Sequence, residues 1–128
     1  MSDGFVLDAS ALLCLLNGET GSIRVGEALA QSAISAVNLS EAIAKLAEHG
    51  ASEDGILIAI ESLQVRIVPF DEEQARLAGL LRTKTKRFGL SFGDRVCLTL
   101  GMMRNAIVLT CDGIWSRLDL DVAIEQLR

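Results

Sequence analysis

The sequence predicts an α/β fold: a central, mainly parallel sheet covered by helices on both faces, a three-layer α/β/α sandwich. Three observations lead there. Short apolar runs alternate with longer stretches of helical periodicity along the chain. The runs are apolar at consecutive positions, as in strands buried on both faces. Helical stretches separate one run from the next, which parallel crossovers require. No repeat or low-complexity tract interrupts the order and Pro69 is the one proline, so no linker is marked and residues 1–128 read as one domain.

Each element follows in turn. Phe5-Val6-Leu7 is an apolar run ending at Asp8, read as a buried strand. Residues 9–16 have helical composition and stop at Asn17-Gly18. Residues 22–31 read as a second helix with Ile23, Leu29 and Ala30 on one side. Ala33-Ile34-Ser35 is a short strand, and 38–48 a helix closed by Gly50. Residues 53–63 carry Ile56, Ile60 and Leu63 at i, i+4 and i+7, a helical stripe. Residues 65–68 form a strand ended by Pro69. Residues 71–87 read as one long amphipathic helix, with Ala75, Ala78 and Leu81 inward and Gly89 after it. Residues 91–104 form the next helix, striped by Val96, Leu100 and Met103. Ile107-Val108-Leu109 is a buried strand, 112–117 a helical turn, and 120–126 an edge strand. In such sheets ligands bind beyond the carboxyl ends of the strands.

Bulk properties narrow the class. Half the residues are hydrophobic, and the mean hydropathy is +0.38. The richest apolar run, residues 55–60, is bounded by Asp54 and Glu61 and falls far short of the ~18 residues of a membrane span. The N-terminus lacks the basic region and cleavage site of a signal peptide, so a cytoplasmic protein is expected. Cys14, Cys97 and Cys111 form no CxxC pair; at least two read as small buried hydrophobes, with Cys111 partly exposed. The net charge of -5 argues against generic nucleic-acid binding. It leaves open a nuclease whose clustered acids hold divalent metal, and it favours basic partners. The surplus of apolar residues calls for a subunit or partner interface, and a homodimer is expected.

Four acids stand where chemistry can be done. Asp8 ends the first strand and Asp112 follows the strand at 107–109. Glu41 and Asp94 fall in what read as the first turns of helices. Carboxylates brought together repel one another unless a cation neutralises them. Hard oxygen ligands suit Mg²⁺ or Mn²⁺, and such a metal lowers the pKa of bound water and stabilises charge on a phosphodiester. The plain alternative is helix capping: Asn38-x-x-Glu41 and Ser91-x-x-Asp94 match or nearly match a capping box, and Asp8 and Asp112 can each be an N-cap. The two roles are compatible, because one carboxylate oxygen can cap while the other ligates. Little else here serves hydrolysis: there is one histidine, His49, no tyrosine, no Gly-x-Ser-x-Gly elbow and no P-loop.

The four acids also lie in recognisable blocks: Leu7-Asp8-Ala9-Ser10-Ala11, Val37-Asn38-Leu39-Ser40-Glu41, Leu90-Ser91-Phe92-Gly93-Asp94-Arg95-Val96-Cys97-Leu98, and Thr110-Cys111-Asp112-Gly113-Ile114-Trp115. In register over essentially the whole chain, these resemble the signature blocks of the PIN-domain nucleases, and more narrowly the VapC-type toxins of bacterial type II toxin–antitoxin systems. The resemblance implies a PIN-like sandwich and Mg²⁺- or Mn²⁺-dependent endoribonuclease cleavage of structured RNA, often tRNA or ribosomal RNA. It implies that Asp8, Glu41, Asp94 and Asp112 are the catalytic, metal-binding acids, with the Ser10 and Thr110 hydroxyls supporting them. It also implies a homodimer, and a cognate antitoxin lying over the active site. Two positions depart from the pattern: Thr20 stands where many relatives carry proline, and Gly113 where a longer residue is common.

Other residues carry two readings each. Arg82, Lys84, Lys86 and Arg87 form a basic cluster, either a solvated helix end or an RNA phosphate contact. Arg95 meets a phosphate or pairs with a neighbouring acid. Trp115 reads as core or dimer packing, Met102 and Met103 as core or interface, His49 as a helix end, and Asp119 and Asp121 as surface. Two other functions stand beside the nuclease. One is a PIN-like module that binds RNA or a partner without cutting. The other is a phospho-accepting receiver domain, which fits poorly because an adjacent acid pair near the first strand and a lysine after a late strand are missing.

Overall fold

Alternation along the strands sets the layering. In strand β1 (Phe5–Leu7) of the computed structural model, which describes residues 4–128, Val6 faces one core and Leu7 the other. Ala33 and Ile34 divide the same way in β2 (Ser32–Ser35), as do Val108 and Leu109 in β4 (Ile107–Thr110). A sheet buried on both faces needs helices on both sides, and it has them.

One layer comprises α1 (Ala9–Leu16), α2 (Ser22–Ala28), α3 (Ala36–Glu48) and α4 (Glu53–Leu63), which pack Leu12, Val25, Ala42, Ile56 and Ile60 against Leu7, Ile34 and Leu109. The other comprises α5 (Glu72–Leu80), α6 (Arg82–Thr85) and α7 (Phe92–Arg104); it joins Leu81, Leu90, Cys97, Leu98 and Leu100 to Val6, Ala33 and Val108. Trp115, in the 3-10 turn Gly113–Arg117, fills that second core and is wholly buried.

With β3 (Arg66–Val68) and β5 (Ala123–Gln126), the sheet has five strands in the order β3-β2-β1-β4-β5, and every pairing is parallel. The chain builds outward from β1 to β3, then returns to the other side of β1 for β4. The gap between the carboxyl ends of β1 and β4 is therefore the topological switch point, where open α/β sheets bind ligands. This order differs from the 2-1-3-4-5 of receiver-type sheets, which removes the receiver reading. Among the described residues no helix is long and apolar enough to cross a membrane.

Several expectations need correction. The stretch 71–87 is not one helix: α5 ends at Leu80, α6 follows, and Lys86–Phe88 closes as a 3-10 turn before Gly89 in the left-handed region at φ 71°. Beside the break, the buried Thr85 hydroxyl donates to the Leu81 carbonyl at 2.9 Å. Ala75 is exposed and Gln74 buried instead, its amide donating to the Pro69 carbonyl at 3.0 Å. In α2 the inward residues are Val25 and Ala28, while Ile23 is 81% exposed. Met103 is exposed as well, and α7 is buried continuously from Val96 to Gly101 rather than along one stripe. Cys14 and Cys97 are buried and Cys111 half-buried, as expected.

Candidate active site

All four acids line one cleft of about 270 Å³ at the switch point, together with Ser10, Asn38 and Lys45. Each arrives by a local rule. Asp8 continues the β1–β4 ladder, its N–H donating to the Leu109 carbonyl at 3.3 Å, and then caps α1. Its Oδ1 accepts the Ala11 N–H at 2.8 Å and the Ser10 hydroxyl at 2.7 Å; its Oδ2 accepts the Thr110 hydroxyl at 2.6 Å. Burial pushes the Asp8 carboxyl above its ordinary value, against the lowering pull of the bonds from Thr110, Ser10 and Ala11; the charge of Asp94 adds to the rise.

Asp94 is the N3 residue of α7 in a complete capping box. Its N–H donates to Ser91 Oγ at 3.2 Å, and its Oδ2 accepts the Ser91 N–H at 2.9 Å. Asp112 caps the following 3-10 turn by accepting the Ile114 N–H at 3.0 Å, and its own N–H donates to Thr110 Oγ1 at 3.0 Å. Capping and cleft lining thus coexist in Asp8, Asp94 and Asp112.

Glu41 differs from its expected place. Helix α3 begins at Ala36 with Ser35 as its N-cap, so Glu41 lies in the second turn and Asn38 caps nothing. Asn38 is almost wholly buried, and its amide donates both to Glu41 Oε1 and to the Gly93 carbonyl, each at 2.9 Å. Gly93 has no side chain, and a Cβ there would strike the Glu41 carboxyl. Glycine at this point lets the Glu41 carboxyl lie against the start of α7. Cys97 lies beneath the acids: burial pushes its thiol well up, and the charges of Asp8, Asp94 and Glu41 push it further.

The hydroxyls of Ser10 and Thr110 sit where expected, beside Asp8. Ser10 also accepts the Cys111 N–H at 2.9 Å. The basic residues sit elsewhere. None of Arg82, Lys84, Lys86, Arg87 and Arg95 lines the cleft. Arg95 turns to α5, donating to the Ala78 carbonyl at 2.9 Å over the ring of Phe92, and Arg87 lies over Phe88. Sequence reasoning missed Asn38 and Lys45 as cleft residues. Both lie on the Glu41 face of α3, at i−3 and i+4, and that spacing is the signal that finds them.

The donor set fits a hard divalent cation in kind. It offers carboxylate oxygens, and Asn38, which lines the same cleft, has a buried Oδ1 without a hydrogen-bond partner among the described residues. Among the described residues, however, no three acidic, histidine or cysteine side chains already converge closely enough to hold a metal ion.

Comparison with known proteins agrees with this architecture. The chain resembles the solved VapBC2 of Rickettsia felis bound to a DNA fragment from their promoter, with 16% identity over 97% of this chain and 98% of that one, at a TM-score of 0.76. It resembles DNA-bound VapBC from Salmonella typhimurium at 21% identity, with the same coverage and a TM-score of 0.75. VapBC-5 of Mycobacterium tuberculosis, a member of the VapBC family of toxin-antitoxin systems, is 24% identical over 98% of both chains, at 0.61. At these identities the likeness shows the fold. No curated protein matches the sequence. The PIN domain family model matches residues 5–120, which span every cleft acid, and the chain belongs to the PIN-domain family.

Proposed function

We propose that the protein is a metal-dependent endoribonuclease, the toxin of a type II toxin–antitoxin pair. One observation carries this reading: four carboxylates far apart in sequence line a single cleft at the sheet's switch point. Relatives of this fold solved as VapBC toxin–antitoxin assemblies support the toxin role and a cognate antitoxin. A cytoplasmic homodimer acting on tRNA or ribosomal RNA completes the proposal.

Asp8, Glu41, Asp94 and Asp112 would hold Mg²⁺ or Mn²⁺. Bound there, the metal supplies a water of lowered pKa and offsets charge building on the phosphodiester. The chain's own residues do the rest. Ser10 and Thr110 fix both oxygens of Asp8. Asn38 orients Glu41. The capping box anchors Asp94, so that the start of α7 need not reorganise as charge develops.

The test is direct. Purified protein with Mg²⁺ or Mn²⁺ cleaves cellular RNA, chelation stops it, and Asp8→Asn or Asp94→Asn abolishes it. Full activity in either variant overturns the assignment. The second reading, a PIN-like module that binds RNA or a partner without cutting, draws on the finding that no three ligand groups already converge. Calorimetry separates the two: no heat of Mn²⁺ binding alongside intact RNA binding selects the non-catalytic module.

A further inference from the structure

An anionic strand must approach four carboxylates, and the groups that let it do so are not those the sequence offers first. The basic cluster 82–87 lies off the cleft. Lys45 does not. It lines the acid cleft, and with Leu13 it continues into a second depression of about 330 Å³, whose wall includes Asn17, Leu46 and His49. The two depressions share Leu13 and Lys45, so they form one groove running from the acids along α1 and α3. Among the described residues, Lys45 is the one lysine or arginine lining either part.

The Lys45 ammonium is only weakly held. Its ion pair with Glu48 is long, at 3.9 Å, and both side chains are more than half exposed, the kind of pair that contributes little. The other polar groups of the second depression are Asn17, His49 and Glu19, and the Glu19 carboxylate is paired with Arg128 at 3.2 Å. His49 Nδ1 is 2.7 Å from the Lys45 carbonyl. A carbonyl only accepts, so Nδ1 carries the proton and Nε2 is left for a ligand. Asn17 adds a carboxamide, and Leu13 and Leu46 an apolar floor.

We propose that this groove is the RNA-strand track, that Lys45 holds the phosphate beside the scissile one, and that Asn17 and His49 receive the adjoining nucleotide. The assignment rests on the ribonuclease reading and deepens it. Lys45 is a positioning residue: it neutralises substrate charge at the cleft's rim and leaves the metal to the acids.

The experiment uses the full chain with a labelled single-stranded RNA and Mg²⁺, in the Asp94→Asn background so that the probe stays intact. Lys45→Met weakens binding about tenfold and makes the salt dependence shallower by about 0.7 in log–log slope, the loss of one phosphate contact on a single strand. Lys45→Arg restores both. In the otherwise native chain, Lys45→Met raises KM and leaves kcat nearly unchanged, while Mn²⁺ affinity by calorimetry does not fall. Unchanged binding and slope in Lys45→Met, or no RNA binding by the Asp94→Asn protein, overturns the track. Lys45-dependent binding by a native chain that never cleaves sinks the nuclease reading and keeps the track. Cleavage with a Lys45-independent KM does the reverse.

Discussion

The Thr110 hydroxyl donates to Asp8 Oδ2 at 2.6 Å and joins residues at the ends of two neighbouring parallel strands. Thr110 Oγ1 in turn accepts the Asp112 N–H at 3.0 Å. One buried side chain therefore aligns an acid after β1 with an acid after β4. The bond to a carboxylate is short and charge-assisted, so it orients Asp8 as well as satisfying it.

Replacing Thr110 with Val keeps the shape and removes the hydroxyl. Asp8 Oδ2 and the Asp112 N–H then lose their shared partner, and stability should fall by about 1–3 kcal/mol. Cleavage should fall by ~10–100-fold, the usual scale for removing a group that orients a metal ligand. Urea unfolding and rates on one RNA substrate check the two together. Thr110→Ser should recover most of the rate, since it restores the donor.

Asp8 gives a pH signature in the metal-stripped protein. Its carboxyl is raised by burial, so the folded chain binds that proton more tightly than the unfolded chain does. Its contribution to stability is then full below the ordinary value of 3.8 and is lost as pH rises through the higher folded value. Asp8→Asn lacks this loss. The Tm difference between Asp8→Asn and the native chain should grow in favour of the variant across that window and level off above it. A difference that shrinks with rising pH would contradict the burial argument.

Gly93→Ala separates activity from folding. The added methyl meets the Glu41 carboxyl, which is the far end of a flexible side chain and must swing aside. Alanine is the better helix former by up to ~1 kcal/mol, so Tm should hold or rise slightly. Cleavage and Mn²⁺ affinity should both drop at least about tenfold, the scale of a lost orienting contact. Native activity in this variant would show that the Glu41 position does not matter.

Much of this was legible in the sequence because it depended on local chemistry. Apolar runs marked the strands; Ser91, Asp94, Asp8 and Asp112 announced caps. What escaped was decided by partners distant in sequence or by buried polar groups. Gln74 turns inward because the Pro69 carbonyl accepts its amide, although hydrophobicity favoured Ala75. The helix predicted over 71–87 breaks around Leu81 with no Pro or Gly at that point, and a buried threonine hydroxyl serves the carbonyl there. Asn38 looked like a cap because its contact with Gly93, on another helix, cannot be seen in one dimension. The acids were found through their common register; the cation that faces them was not, because Lys45 belongs to no block of the pattern.

The position of β1 has a consequence for the order of synthesis. β1 is made first and sits in the middle of the sheet, yet one of its two neighbours, β4, is among the last strands made. A ribosome that has extruded β1, β2 and β3 presents β1 with a bare edge, Asp8 without Thr110, and no Asp112. The cleft closes only when residues 107–112 emerge and dock, a late, long-range step that costs folding speed. An unfinished chain thus carries Asp8 and Glu41 without the Thr110 and Asp112 that complete the cleft.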